Sequence, residues 1–403
     1  MYFQNIDDKR ECAGAFFDSP WGRELVFEKI NLEGFTRTWK YSESLREHEH
    51  LEFAWLYVAG RSLDSVCPDS LRNSWESATK KLEAYKKSLS TAKVSLTENC
   101  IFDIIPKKFL LNYLYLKNEI TKSVFENHSR PQNYDHLLGA HRMIEEIRFQ
   151  AVSVDRSAMK ARFFKKKVRH FMKDLNKKSL SIRYNLFGTK TGRLTTERGS
   201  FPILTLDKDL REFIKPNHDA FLEIDFNAAE LRTLLALVGT AQPEEDVHNW
   251  NIKNIFGPST TREEAKKRVF SWLYNPDSKD FLLNRAYDRV LIKEKYWDGQ
   301  NVTTPFLREI ESDEYHSVNY ILQSTTSDVC LEQASKVHKF LKNMKSKIAF
   351  IMHDSIVLDV TKEEKNKIPE IVSLFENTRF GKYMVNVKLG KNFGDMKEIK
   401  WIR

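Results

Sequence analysis

Residues 221–232 read FLEIDFNAAELR. The strand-forming residues Phe221, Leu222 and Ile224 deliver Asp225 to the end of an apolar run, and the stretch from Asn227 to Arg232 has helical composition. An aspartate after a strand commonly caps the next helix by accepting a backbone N–H. A carboxylate at a strand end is also exposed enough to bind a ligand, and this stretch alone does not separate the two roles.

A second carboxylate is written in a similar way. Residues 348–360, IAFIMHDSIVLDV, are two apolar runs meeting at His353 and Asp354, the pattern of a β-hairpin with a polar tip. With neither Gly nor Asn at the tip, the turn type stays open. An ordinary hairpin would satisfy the pattern in isolation. If its strand lies beside that of Asp225, the two carboxylates converge, and they repel unless cations sit between them. Mg²⁺ is held by one or two carboxylates plus substrate phosphates, and two ions about 3.5–4 Å apart suit in-line displacement at phosphorus. A nuclease and a polymerase would both use such a site.

Between the two aspartates lies PSTTREEAKKRVFSWLYNP, residues 258–276. It predicts a helix with a capping box of Thr260 and Glu263 and a stop at Pro276. Arg262, Lys266, Phe270 and Tyr274 recur every four residues and share one slowly rotating stripe. On an ordinary amphipathic helix the aromatics would pack inward while the cations reach solvent. On a nucleotide platform the cations would take a triphosphate, Phe270 the sugar and base, and Tyr274 the template base.

The 403 residues and 41% hydrophobic content suffice for a large core and exclude a disordered chain. No run of about 18 apolar residues occurs, and the start, MYFQNIDDKRECAG, lacks a basic region followed by an apolar one. A cytoplasmic protein with no membrane partner is expected. Cys12, Cys67, Cys100 and Cys330 lack paired spacing, which argues against a disulfide framework or zinc knuckle. The excess of 65 Lys and Arg over 56 Asp and Glu, a net charge of +9, favours a polyanionic partner. Glu47, His48, Glu49, His50 and Glu52 read as a charged, exposed helix start rather than a metal site.

Up to about residue 180 the chain is rich in helix formers with apolar residues at three- and four-residue intervals. This part ends in KARFFKKKVRHFMKDLNKK, residues 160–178, where Phe163, Phe164 and Phe171 interleave with basic residues including Lys165, Lys166 and Lys167. The aromatics could face a core while the lysines face phosphate, and a plain solvated helix would look the same. Turn-rich sequence and the Asp225 strand follow, then a helical region over about 244–274, a long helix from about Tyr315 and further strands. No internal repeat or low-complexity linker is present. The architecture is mixed α+β.

Taken in chain order, these residues resemble the polymerase domain of family A DNA polymerases, the DNA polymerase I family. TGRL at 191–194 is similar to its TGRLSS segment, and Asp225 with Glu230, Leu231 and Arg232 fits motif A. Asp246, Val247 and His248 resemble the DIH that opens the fingers, and the stripe from Arg262 to Tyr274 fits the O-helix. Asn319 and Gln323 have the spacing of the N-x-x-x-Q helix, and His353 with Asp354 matches motif C. The match covers residues 180–403 by motif; before that it rests on position and helical character. Ser355 departs from the usual HDE of motif C, Asn275 from the Gly after the O-helix tyrosine, and FPILTL from the N-L-Q-N-I-P segment. A divergent viral or phage member would fit such changes.

The resemblance implies a right-hand fold: a helical N-terminal region and thumb at 1–180, an antiparallel-sheet palm at 181–243 and 315–403, and helical fingers at 244–314 with an O-helix over 260–275. It implies a template-directed DNA polymerase using primer-template DNA and dNTPs. Asp225 and Asp354 would be the catalytic ligands of two Mg²⁺ ions, with Mn²⁺ able to substitute. Arg262, Lys266, Phe270, Tyr274, Glu230 and His248 would bind the dNTP. Arg193, Arg232, Asn319, Gln323, His353 and the lysines at 165–167 would contact primer-template, Arg232 by supporting the motif A site. Glu230 would occupy the space of a ribose 2′-OH, which favours dNTPs; the alternatives are a single-subunit RNA polymerase or primase-like synthase, or a catalytically weak replisome protein that binds DNA. The length leaves no room for the family's proofreading domain, so an exonuclease or processivity factor would be a separate chain.

Overall fold

The computed structural model describes residues 62–94, 104–127, 131–176 and 180–399, with the short strands Tyr2–Phe3, Gly14–Ser19, Gly22–Phe27 and Trp55–Leu56. Two compact units divide the chain, Met1–Arg142 and Met143–Arg403. Glu47 to Glu52, Cys12 and Cys100 lie outside the described residues. Among the described residues, no helix is long and apolar enough to cross a membrane.

In the first unit, β1 (Gly14–Ser19) and β2 (Gly22–Phe27) form an antiparallel pair, which corrects the expectation of helices throughout. The signal was there: two apolar-rich runs flank Pro20 and Trp21, and Pro favours a turn. Further on, α1 (Asp69–Thr91) buries Trp75, Ala78 and Leu82, at helical spacing on one face. It packs with α2 (Lys107–Asn127) around Leu63, Cys67, Trp75, Ile120 and Val124, where Trp75 stacks on Tyr113 at 5.2 Å. Helix α3 (Tyr134–Arg148) follows and runs across the division between the units.

The second unit begins its helices with α4 (Arg156–Ala161), capped by the Asp155 carboxylate accepting from the Ala158 N–H at 2.9 Å, and α5 (Lys166–Leu175). In α5 the buried stripe is Val168, Phe171 and Leu175. Phe163 and Phe164 fall in the turn between the helices and are exposed, so only Phe171 of the three faces a core.

The central sheet holds β3 (Ala220–Phe226), β4 (Lys347–Met352), β5 (Ser355–Val360), β6 (Val385–Gly390) and β7 (Met396–Glu398), all antiparallel in the order β4-β5-β3-β6-β7. Every residue of β3 is buried except Glu223 and Asp225, which are two apart and share a face. On the other face Phe226 stacks on Phe375 of α12 (Ile368–Glu376) at 4.4 Å. After β3 come α6 (Ala229–Leu237), α7 (Val247–Asn251), α8 (Arg262–Tyr274), α9 (Phe281–Ala286), α10 (Arg289–Tyr296) and the long α11 (Glu314–Phe340). Leu231, Leu234 and Leu235 of α6, Val269, Trp272 and Leu273 of α8 and Ile321 and Leu322 of α11 share one core. Each such side chain contributes about 1.5–3 kcal/mol by leaving water, so α8 is tied firmly to the element that follows Asp225.

Candidate active site

Asp225 is the penultimate residue of β3, and Asp354 sits in the two-residue turn joining β4 to β5. The register places Ser355 opposite Asp225 on one side and Asn386 opposite it on the other. Asp354, one residue before Ser355, is thereby brought beside Asp225, as the sequence required of adjacent strands. The turn is tight. His353 takes a left-handed φ of 55°, uncommon for a residue with a Cβ, and the Ser355 hydroxyl closes the loop by donating to the Met352 carbonyl at 3.1 Å. Asp225 does not cap the next helix: the N-cap of α6 is Ala228, at φ 50°, with no side-chain cap.

Burial, then the charges of Asp354 and Glu223, push the Asp225 carboxyl up to about 7, against the opposing pull of Lys388 and a hydrogen bond with Asn386. Burial raises Asp354 as well, opposed by its own backbone N–H and by His353 and Arg193. Glu223 is itself held by Lys388, whose ammonium donates at 2.8 Å. Among the described residues no group of three His, Cys, Asp or Glu side chains is gathered to hold a metal. Two converging carboxylates fit the donor set of Mg²⁺ completed by phosphate oxygens.

The carboxylates open into a cleft of about 340 Å³, lined also by Arg193, Glu230, His248, His353 and the stripe of α8. That volume lies in the range of small-molecule sites. The capping box of α8 is Thr261 and Glu264, one residue later than the sequence suggested: the Glu264 carboxylate accepts from the Thr261 N–H at 2.8 Å while the Thr261 hydroxyl oxygen accepts from the Glu264 N–H at 3.3 Å. Both Thr-x-x-Glu pairs fit the motif, so spacing alone could not choose. Phe270 and Tyr274 stack at 5.9 Å with planes 5° apart.

The two cations of the stripe differ. Arg262 grips the Asp246 carboxylate through Nε at 3.2 Å and Nη2 at 2.7 Å. Burial works against charge on Asp246, but Arg262, the Asn227 amide and the Asn249 N–H hold its carboxyl well below the usual range. Lys266 has no hydrogen bond or ion pair among the described residues and lies 6.0 Å from the Phe270 ring centroid. Nearby, burial pulls the His248 imidazole down, so it is neutral at physiological pH.

Glu230 is nearly buried and accepts from both the Tyr274 hydroxyl and the Arg193 guanidinium. Burial raises its carboxyl and these two partners oppose the rise. The structure therefore turns Tyr274 and Arg193 towards Glu230. Arg193 is aimed by an unusual backbone: Gly192 has φ 74°, a Cβ there would lie 2.5 Å from Arg308 Cζ, and its carbonyl accepts from the Ser327 hydroxyl at 3.0 Å. Arg308 in turn makes a bidentate pair with the fully buried Asp328, at 2.7 and 3.1 Å.

Other expected residues lie elsewhere. Arg232 is completely buried, donating to the carbonyls of Asn227, Pro243 and Glu245, so it cannot meet primer-template; it braces the turn behind Asp225. Asn319 and Gln323 precede the cleft-lining Ser327 by eight and four residues along one face of α11 but do not line the cleft themselves. Lys165, Lys166 and Lys167 are exposed at the start of α5, outside the cleft, and Lys167 pairs with Asp207 at 2.7 Å and Asp209 at 3.2 Å. Sequence reasoning gave no role to Asn386, Ser327, Arg308 or Asp328, and none to Asp246 beyond a motif match. Only Asp246 carried a local signal, as an acid before a helix.

No protein-family model matches this chain. It is 22% identical over 265 residues to a DNA polymerase I of Borreliella burgdorferi, a match covering 52% of this chain and 29% of that protein. The chain thus spans less than a third of the length of this curated relative. In three dimensions it superposes on the POL domain of Pol1 from M. smegmatis, solved in complex with DNA primer-template and dNTP, with a TM-score of 0.56 and 13% identity, covering 71% of this chain and 76% of that one. The fold is that of a DNA polymerase I polymerase domain.

Proposed function

We propose that this chain, with the fold of a family A polymerase domain, is a template-directed DNA polymerase that adds dNTPs to a primer 3′-OH. One observation carries the reading: adjacent strands converge Asp225 and Asp354 on the same cleft that receives the cationic and aromatic stripe of α8. In this reading the sheet is the palm, α7 to α10 are the fingers and the helices before residue 180 supply the thumb.

Asp225 and Asp354 would hold two Mg²⁺ ions, which when bound lower the pKa of the attacking hydroxyl and stabilise the pyrophosphate leaving group. Lys266 meets the triphosphate with an uncommitted charge, and Arg262 joins it by exchanging Asp246 for phosphate. Phe270 packs on the sugar and base. Glu230, braced by Tyr274 and Arg193, fills the space beside the sugar and so disfavours a 2′-OH. His353, which lines the cleft, and Asn319 and Gln323, about two helical turns and one before Ser327 on α11, would contact the primer-template.

The test is extension of a labelled primer on a DNA template with Mg²⁺ and either dNTPs or rNTPs. Template-dependent extension with dNTPs is the expected outcome. Preferential use of rNTPs would move the chain to the single-subunit RNA polymerases, which Ser355 in place of the third carboxylate would suit. No extension with duplex binding intact would leave a DNA-binding scaffold.

A further inference from the structure

We infer that the turn between α4 and α5 is a second nucleic-acid site, distinct from the cleft, in which Phe163 and Phe164 stack on the bases of a single strand while neighbouring lysines hold its phosphates. Phe163 is 47% and Phe164 74% exposed, so two adjacent aromatic side chains present much of their surface to water. The turn is firmly built. The Arg162, Phe163 and Lys165 N–H groups donate to the carbonyls of Met159, Lys160 and Arg162, and Arg162 pairs with Glu212. The rings therefore project from a fixed scaffold.

The surroundings select the occupant. Lys160, Lys165, Lys166, Arg169 and Lys173 are all exposed, and none makes an ion pair among the described residues. Lysines in the first turn of α5 oppose the helix dipole, which favours acids there, so the local charge is not explained by helix stability. Cations flanking exposed aromatics meet both parts of a single strand: phosphates on the charges, unpaired base faces on the rings. Duplex would offer the phosphates but not the base faces.

No residue of this turn or of α5 lines the cleft. The Asp155 N–H donates to the Phe213 carbonyl at 2.8 Å, and the Asn217 and His218 N–H groups bond Asp359, which pairs with Phe221 at the start of β3. Asp225 lies near the other end of that strand, five residues and about 17 Å from Ala220. The choice of DNA as the strand rests on the polymerase reading; the stacking geometry does not.

The experiment is fluorescence anisotropy of the full chain with labelled oligo(dT), beside single-nucleotide extension of a recessed primer whose template overhang is one nucleotide. Phe163→Ala/Phe164→Ala is expected to weaken oligo(dT) binding about tenfold or more and to leave that extension and the unfolding temperature unchanged. Lys165→Gln/Lys166→Gln should reduce the salt slope of oligo(dT) binding by about 1.4, from roughly 0.7 per phosphate contact. Unchanged oligo(dT) affinity in the phenylalanine variant overturns the inference. Equal losses on oligo(dT) and blunt duplex overturn it in favour of a duplex grip, and retained oligo(dT) binding with lost binding to phosphatidylserine vesicles overturns it in favour of a lipid surface. Absence of extension by the wild type would sink the polymerase reading while leaving the oligo(dT) comparison interpretable.

Discussion

On one wall of the cleft, Asp225 and Asp354 are set by main chain: antiparallel register, a two-residue turn and a paired strand on each side of β3, that of β5 fully buried. On the other wall, the α8 stripe is set by side chains, Arg262 by Asp246 and Tyr274 by Glu230. Backbone register tolerates no partial slip, because a shift of one residue turns the carboxylates to the opposite face. Side-chain ion pairs can exchange partners when phosphate arrives. In the proposed reading, the wall fixed by main chain would serve the reacting atoms and the wall held by ion pairs would serve binding.

Substitutions can break that division, beginning with the largest effect. Asp225→Asn and Asp354→Asn should each lower single-turnover nucleotide addition about a thousandfold, from the loss of several kcal/mol of charge stabilisation, with the circular dichroism spectrum retained. Near-normal rates in either variant would remove that wall from the chemistry. Lys266→Ala should raise KM for dNTP about 10–100-fold with a smaller change in kcat, as expected for a lost charge-assisted hydrogen bond. Arg262→Ala should cost less, because Arg262 must first give up Asp246. A larger effect from Arg262 would show that the ion pair does not compete with substrate. Glu230→Gly should raise rNTP incorporation relative to dNTP about tenfold, read from the ratio of kcat/KM values. An unchanged ratio would mean that the braced carboxylate does not face the sugar.

The smallest effect sharpens the comparison through pH. Burial and the charges of Asp354 and Glu223 raise the Asp225 carboxyl in the folded chain to about 7, from the ordinary 3.8. Below about pH 4 both folded and unfolded chains hold the proton, and the group has no influence on stability. Between about pH 4 and 7 the unfolded chain ionises while the folded one keeps its proton, so this group lowers stability as pH rises, with the full penalty above about 7. Mg²⁺ would bind the ionised form and cancel the penalty. Its effect on melting temperature should therefore be larger at pH 8 than at pH 5.5, by about 1–3 °C, and absent in Asp225→Asn/Asp354→Asn. Equal shifts at both pH values would disconnect the metal from the carboxylate pair.

The wall made of main chain was the more legible one. Strand, polar tip and strand are local patterns, and the hydrophobic runs at 221–226 and 348–360 carry them directly. The stripe of α8 was legible as a period of four, although its cap fell one residue late. What the stripe's residues hold was not legible, since Asp246 is 16 residues from Arg262 and Glu230 is 44 from Tyr274. The placement of Phe163 and Phe164 stayed open for a related reason: the tract shows both aromatics and lysines, but which aromatics find a core depends on the helix break at residue 162. What Arg232 holds was not legible either, because its carbonyl partners come from a loop that turns back on it.

The sequence by itself determined the elements that repeat or end locally: two strand-borne aspartates, a four-residue stripe on one helix, a long helix and a basic aromatic tract. Tertiary structure decided which of them share a site, because that depends on register, on contacts between residues far apart in the chain and on burial. Gly192 shows the division. Its sequence neighbours mark a turn, but only the folded chain shows the two reasons nothing larger fits, a left-handed φ of 74° and the Arg308 guanidinium packed against it and held by Asp328.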